Sequence, residues 1–205
     1  MYDGPVSRYL NRPLSRPLAR AAGHTPLTPN LVTSATLLLA VAAAAMVAAG
    51  WHIAGGIAIQ AVSVFDGVDG DLARLKGMTT RFGAVFDAVT ARFADAAIIA
   101  GMTIVAARFV DFAHPAAAGV FALAGALTVS YSQARIEASL GPANDAPLFF
   151  GATRDVRSLV AAAGVVTGQC YWTLIILGAL SSATVLWRLL YLRAKGIGRA
   201  PYTPP

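Results

Sequence analysis

Long apolar runs separated by short polar or glycine-marked turns dominate this chain, and most of them lack the one-sided stripe of a water-facing helix. Several reach about 20 residues, the length that crosses a hydrocarbon core of about 30 Å. The pattern predicts spanning helices over about 30–49, 53–75, 80–108, 115–139, 154–168 and 171–195. Thr28-Pro29-Asn30 supplies a cap and a first-turn proline for the first of these, which ends at Gly50. Residues 3–22 follow a different rule. Arg8, Arg12, Arg16 and Arg20 recur at a stride of four, and Val6, Leu10, Leu14 and Leu18 form a second stripe. That is an amphipathic segment lying in the membrane interface, its arginines reaching for lipid phosphates, with Pro13 and Pro17 as expected break points.

Composition agrees with this reading: 57% of the 205 residues are hydrophobic, 13% are charged and the mean hydropathy is +0.62. The fold class is all-α, a polytopic membrane protein of six transmembrane helices preceded by an interfacial helix. The expected organisation is one unit over 1–205, with an interfacial segment at 1–25, the bundle at 30–195 and a Pro-rich tail at 196–205 expected to be disordered. No second domain or internal repeat is visible. Cys170 stands alone, which excludes an intrachain disulfide and suits inert packing. The first 25 residues are punctuated by arginine and proline and lack the apolar core of a cleavable signal.

Charge gives the orientation. Arg74, Lys76 and Arg81 lie between the second and third helices, Arg188, Arg193 and Lys195 at the end of the sixth, and only Arg108, beside Asp111, falls on the other side. By the positive-inside rule the arginine-rich side is cytoplasmic, and with six spans both termini are there as well, in the cell membrane.

The stretch from Asp66 to Ala91, DGVDGDLARLKGMTTRFGAVFDAVTA, breaks the apolar pattern. On a helix Asp66 and Asp69 share a face with Ala73, and Asp87 on the following helix aims back at them. Each acid costs about 2.5 to 3.5 kcal/mol at the centre of a spanning helix, so three left unpaired would cost on the order of 8 to 10. A cation must offset that. Hard oxygen donors without His or Cys suit Mg²⁺, Mn²⁺ or Ca²⁺ rather than zinc. Gly67, Gly70 and Gly83 leave backbone open beside the acids, either for close helix packing or for a ligand. Together with Arg74 the cluster reads as a site for a metal-bound phosphate at the cytoplasmic edge.

The spacing Asp66-x2-Asp69-Gly70-x2-Ala73-Arg74-x8-Gly83-x3-Asp87 resembles the signature of the CDP-alcohol phosphotransferase (CDP-alcohol phosphatidyltransferase) family, six-helix and usually dimeric membrane enzymes. Seven residues of fixed identity fall within 22 positions on the expected pair of helices. The resemblance implies that Asp66, Asp69 and Asp87 ligate two divalent ions, Mg²⁺ or Mn²⁺, that bridge the diphosphate of a CDP-alcohol. It implies that Gly70, Ala73 and Gly83 leave room for the cytidine and its phosphates, and that Arg74 helps stabilise that end of the site. The acceptor hydroxyl then attacks the β-phosphorus and releases CMP. The family's fourth aspartate, its general base, is here Ala91, and losing such a base typically costs about 10²- to 10⁴-fold. Asp95, one turn on, is a candidate substitute that lies about 6 Å further along the axis.

Arg135, Arg154 and Arg157 flank one cytoplasmic loop and suit the phosphate of a phosphorylated polyol acceptor; the alternative is a headgroup anchor. Beyond the signature, DGPVSRYLNRPLSRP, the TPN turn and TRDVR are similar to the membrane part of di-myo-inositol phosphate phosphate synthases. These join CDP-inositol to inositol phosphate, and in them a cytidylyltransferase can be fused to the membrane part. The rival is a phosphatidylinositol phosphate or related phospholipid synthase using CDP-diacylglycerol. An ion pathway, as in a divalent-cation transporter, is the reading from another class. The acids crowd toward one membrane edge and the outer half offers no polar relay, which weighs against it. Nothing in the chain points to nucleic acid.

Overall fold

The computed structural model of the chain describes residues 4, 6–111, 114–140 and 152–195. Among these every regular element is helical. A wide π-type turn over Ser7–Asn11 leads into α1 (Arg12–Gly23), followed by α2 (Pro29–Ala48), α3 (His52–Leu75), α4 (Arg81–Phe109), α5 (Pro115–Leu140), α6 (Arg154–Val166) and α7 (Cys170–Ala194). The expected loop at 140–153 lies outside the described residues apart from its two ends, and the tail at 196–205 lies outside them altogether.

Turn chemistry sets the ends. The hydroxyls of Thr28 and Thr80 accept the N–H of Leu31 and Gly83, satisfying donors that the first turns of α2 and α4 leave free. Gly50 and Gly168, at φ of 87° and 70°, take the left-handed conformation that lets the chain reverse into α3 and α7. The N-terminal segment differs from expectation at Pro17, which sits inside an unbroken α1. An imide nitrogen there leaves only the Pro13 carbonyl without its helical donor. The change of pitch comes earlier, at Arg12, one residue before Pro13.

Four helices, α2, α4, α5 and α7, are long and apolar enough to cross a membrane among the described residues. α3 carries the signature acids and falls outside that group. α6 has 13 residues, about 20 Å at the helical rise of 1.5 Å.

Helix α2 packs on both α3 and α4, α5 on α7, α3 on α6, and α1 lies along α3. Small residues at the crossings let backbones approach, as polar-poor membrane interfaces require. A Cβ on Gly101 would sit 2.6 Å from the Ala44 carbonyl oxygen of α2. The core, with Ala43, Ile59, Ala94, Met102 and Leu174, is mostly apolar, with Thr173, Ser181 and Thr184 buried beside it, and large apolar side chains such as Leu38, Ile57, Trp172 and Leu190 also cover the outside. Cys170 belongs to this core. Apolar surface inside and outside is what a bundle in lipid needs.

Candidate active site

Three elements meet at one end of the bundle. Asp66, Asp69 and Asp71 come from the C-terminal half of α3, Asp87, Ala91 and Asp95 from one stripe of α4, and Arg154 and Arg157 from the first turns of α6. Asp69 is the most enclosed of the acids, at 4% exposure. Its Oδ2 accepts the Thr33 hydroxyl of α2 at 2.6 Å and its Oδ1 the Gly70 N–H at 2.6 Å. Asp66 pairs with Arg154. Asp87 lies close enough to Asp66 and Asp69 to feel both charges, and its carboxylate has no hydrogen bond or ion pair among the described residues. The structure therefore brings the three sequence-predicted acids into one region. Among the described residues no three His, Cys, Asp or Glu side chains form a group that could hold a metal unaided. Three like charges repel, and Arg154 already neutralises one of them.

The signature glycines differ in the space beside them: Gly67 packs on Ser15 of α1, whose Oγ would be 3.2 Å from an added Cβ. A Cβ added at Gly70 would meet nothing nearer than the Arg74 guanidinium at 3.6 Å. Gly83 is tighter: an added Cβ would lie 3.0 Å from its capping Thr80 Oγ1 and 3.4 Å from Asn30 Oδ1 of α2. Ala73 is half-buried on the α3 face that also carries Asp66 and Asp69. Arg74 is half-exposed and bonded to Asp71 at 2.6 Å, an acid to which sequence reasoning assigned no role. Asp71 also receives Arg12 of α1 through both oxygens at 2.8 Å.

Ala91 is buried, 6% exposed, on the face between Asp87 and Asp95. Asp95 is not a free base. Arg157 Nη2 lies 3.0 Å, Arg92 Nη1 3.3 Å and Arg154 Nε 3.5 Å from its carboxylate oxygens. A small cavity of about 30 Å³ lies beside Asp95 and Arg157, bounded further by Ile98, Ala126, Ser158 and Leu177.

The predicted arginine trio divides. Arg154 and Arg157 converge on Asp95, and Arg157 also donates to the Ala152 carbonyl at 2.8 Å. Arg135, on α5, is exposed and makes no polar contact among the described residues. Two cations that sequence reasoning passed over stand nearer: Arg92, bound to Asp95, and Arg188 of α7. Arg188 is buried, donates to the Val129 carbonyl and the Ser132 hydroxyl, and lies within electrostatic reach of Arg157. Three guanidiniums, Arg92, Arg154 and Arg157, thus gather around the two carboxylates of Asp66 and Asp95, with Arg188 beside Arg157. Guanidiniums crowded against one another, Arg188 among them, suit an anionic ligand. The signal of Arg188 in the sequence, an arginine six residues short of the α7 terminus, reads equally as a topology charge.

The sequence matches the CDP-alcohol phosphatidyltransferase family over residues 26–187. The chain belongs to that family. It is 46% identical over 191 residues to a bifunctional IPC transferase and DIPP synthase of Rubrobacter xylanophilus, a match covering 93% of this chain and 43% of that protein. It is 39% identical over 127 residues to a phosphatidylinositol phosphate synthase of Mycolicibacterium smegmatis, covering 62% of this chain and 57% of the relative. The chain thus spans about half the length of these curated relatives. Among solved structures it resembles Mycobacterium tuberculosis phosphatidylinositol phosphate synthase with CDP-DAG bound, at a TM-score of 0.73 and 28% identity, over 88% of this chain and 94% of that one. The same protein has been solved in complex with manganese and citrate. Family membership sets aside the divalent-cation transporter.

Proposed function

We propose that the chain transfers a substituted phosphate group from a CDP-alcohol to an acceptor alcohol with release of CMP. The reaction that fits best is CDP-inositol plus inositol phosphate, giving di-myo-inositol phosphate phosphate. The observation that carries this is the meeting of Asp66, Asp69 and Asp87 with the arginines of α6 at one end of the bundle. The acids would hold Mg²⁺ or Mn²⁺, and a pair of such ions would supply positive charge for a diphosphate. Mg²⁺ typically takes one or two carboxylates and completes its shell with substrate phosphates and water, so acids that do not close into a cage fit it. The ions would spread the negative charge that develops on the diphosphate.

The chain's own residues do the rest. Thr33 and the Gly70 N–H fix the Asp69 carboxylate. Gly70, Ala73 and Gly83 leave the backbone open to the nucleotide, and Arg74, steadied by Asp71, lies at its rim. Arg154 and Arg157, with Arg135 from α5, would hold the acceptor's phosphate, and Arg92 and Arg188 add to the field. The acceptor hydroxyl forms the new bond to the β-phosphorus as the bond to CMP breaks. Its proton needs an acceptor that Ala91 does not supply, and the oxygens of Asp95 are already engaged by three arginines. Turnover is therefore impaired, by about 10²- to 10⁴-fold, while nucleotide binding persists.

The proposal extends to the setting. The whole of 1–205 acts as one membrane unit, with α3 and α6 completing six crossings and α1 lying in the interface. Both termini and the site face the cytoplasm, the protein sits in the cell membrane, and it works as a homodimer. A phospholipid synthase using CDP-diacylglycerol is the second reading, favoured by the neighbour with CDP-DAG bound. An Ala91→Asp variant given labelled CDP-inositol or CDP-diacylglycerol, each with inositol phosphate, separates the two. Water-soluble product formed without a lipid donor supports the first. Product formed only from CDP-diacylglycerol replaces it with the second.

A further inference from the structure

We propose that Asp155 is a positioning residue through which the N-terminal segment holds the first turn of α6, and with it Arg154 and Arg157, over the site. This rests on reading those arginines as the acceptor's phosphate contacts. Asp155 lies between them in sequence but on another face of α6, and it is buried, 8% exposed. Its Oδ2 accepts the Ser7 N–H at 2.6 Å. Gly4 packs so closely that a Cβ there would overlap the carboxylate, and its carbonyl receives the Arg8 N–H at 2.9 Å. The carboxylate thus stands at the start of two helices at once, its own and the N-terminal one, where free N–H groups and the helix dipole both favour negative charge.

The other end of the same segment is tied to α3. Asn11 donates to Ser63 Oγ at 2.9 Å and accepts from Gln60 Nε2 at 2.9 Å, and Arg12 grips Asp71. The segment therefore bridges the two helices whose side chains meet in the Asp66–Arg154 pair. Helix α6 draws on that bridge as well as on the Arg154–Asp66 and Arg157–Asp95 pairs. Its close backbone approach to α3 lies near its C-terminal end, where Gly56 meets Ala162 and Val166, and Asp155 pins the opposite end.

The test uses the chain as it stands, with Mg²⁺, and titrates inositol phosphate and CMP calorimetrically into Asp155→Ala, Asp155→Asn and Gly4→Ala. Amide exchange over 154–158 is followed in parallel. Misplacing a binding group by about 1 Å can cost on the order of 100-fold. Asp155→Ala and Gly4→Ala should each weaken inositol phosphate by at least about tenfold and speed exchange, with CMP affinity unchanged. The double variant should be no worse than either single change, because both break one contact. Asp155→Asn keeps an acceptor for the Ser7 N–H and should fall between. Arg157→Lys is the control for the underlying reading: if it leaves inositol phosphate binding intact, or the parent chain binds none, the acceptor assignment fails and exchange alone judges Asp155. If Arg157→Lys weakens binding while the Asp155 and Gly4 variants change neither affinity nor exchange, the positioning role is wrong. Equal loss of CMP and inositol phosphate binding also overturns it, since that marks general destabilisation.

Discussion

At the scale of single residues the site depends on how each acid is held. Asp69 is the clearest case, because both of its oxygens have donors and one of them, Thr33, sits on a helix outside the signature. A hydrogen bond to a charged group is worth about 1.5 to 3 kcal/mol, roughly 10- to 150-fold in affinity. Thr33→Val keeps the shape and removes the hydroxyl, so Mg²⁺-dependent CMP binding should weaken by about tenfold or more in a calorimetric titration. Unchanged affinity would mean that the Thr33 contact does not orient a ligand. Asp66, Asp69 and Asp87 were legible in the sequence because acids in apolar helices are costly enough to demand a reason. Thr33 was not, since an isolated threonine in a spanning helix usually bonds its own backbone, and here the Pro29 carbonyl lies 3.1 Å from the same hydroxyl as the alternative acceptor. The engagement of Asp95 was not legible for a related reason: its arginine partners Arg154 and Arg157 lie far along the chain.

At the scale of elements the boundaries followed turn chemistry that can be read directly. The capping threonines and Gly50 and Gly168 stand where the helices begin and end, and each observed boundary of α2 to α7 falls within two residues of the expected one. Pairings between helices were much less visible. Periodicity cannot rank neighbours when a helix is apolar on every side, so the closeness of α2 and α4 came only with the structure. Gly101 makes that approach possible. Gly101→Ala puts a methyl against the Ala44 backbone, which cannot rotate away as a side chain tip can. Overpacking of this kind typically costs about 1 to 3 kcal/mol, and thermal unfolding in detergent should show a lower midpoint. An unchanged midpoint would mean that α2 can retreat without loss. The N-terminal segment was half legible. Its arginine and leucine stripes were plain, but the third stripe, Asn11, Ser15 and Ala19, which is buried, reads as filler until α3 is seen beside it.

At the scale of the molecule a mostly apolar bundle concentrates its charges at one end, in a carboxylate group on α3 and α4 and an arginine group led by α6. That division is the basis for placing the nucleotide with the first and the acceptor with the second. Family and fold class could be read from the chain because the signature is local, seven residues within 22 positions. The acceptor side could not, because it is assembled from α4, α6 and α7. The central claim is that Asp66, Asp69 and Asp87 still carry a metal-bound nucleotide although Ala91 has replaced the base. Titrating CMP into the purified chain with Mg²⁺, with EDTA, and into Asp69→Asn with Mg²⁺ tests it most directly. The account predicts saturable binding in the first case and little or none in the other two. Equal binding in Mg²⁺ and EDTA, or no binding in either, would contradict it.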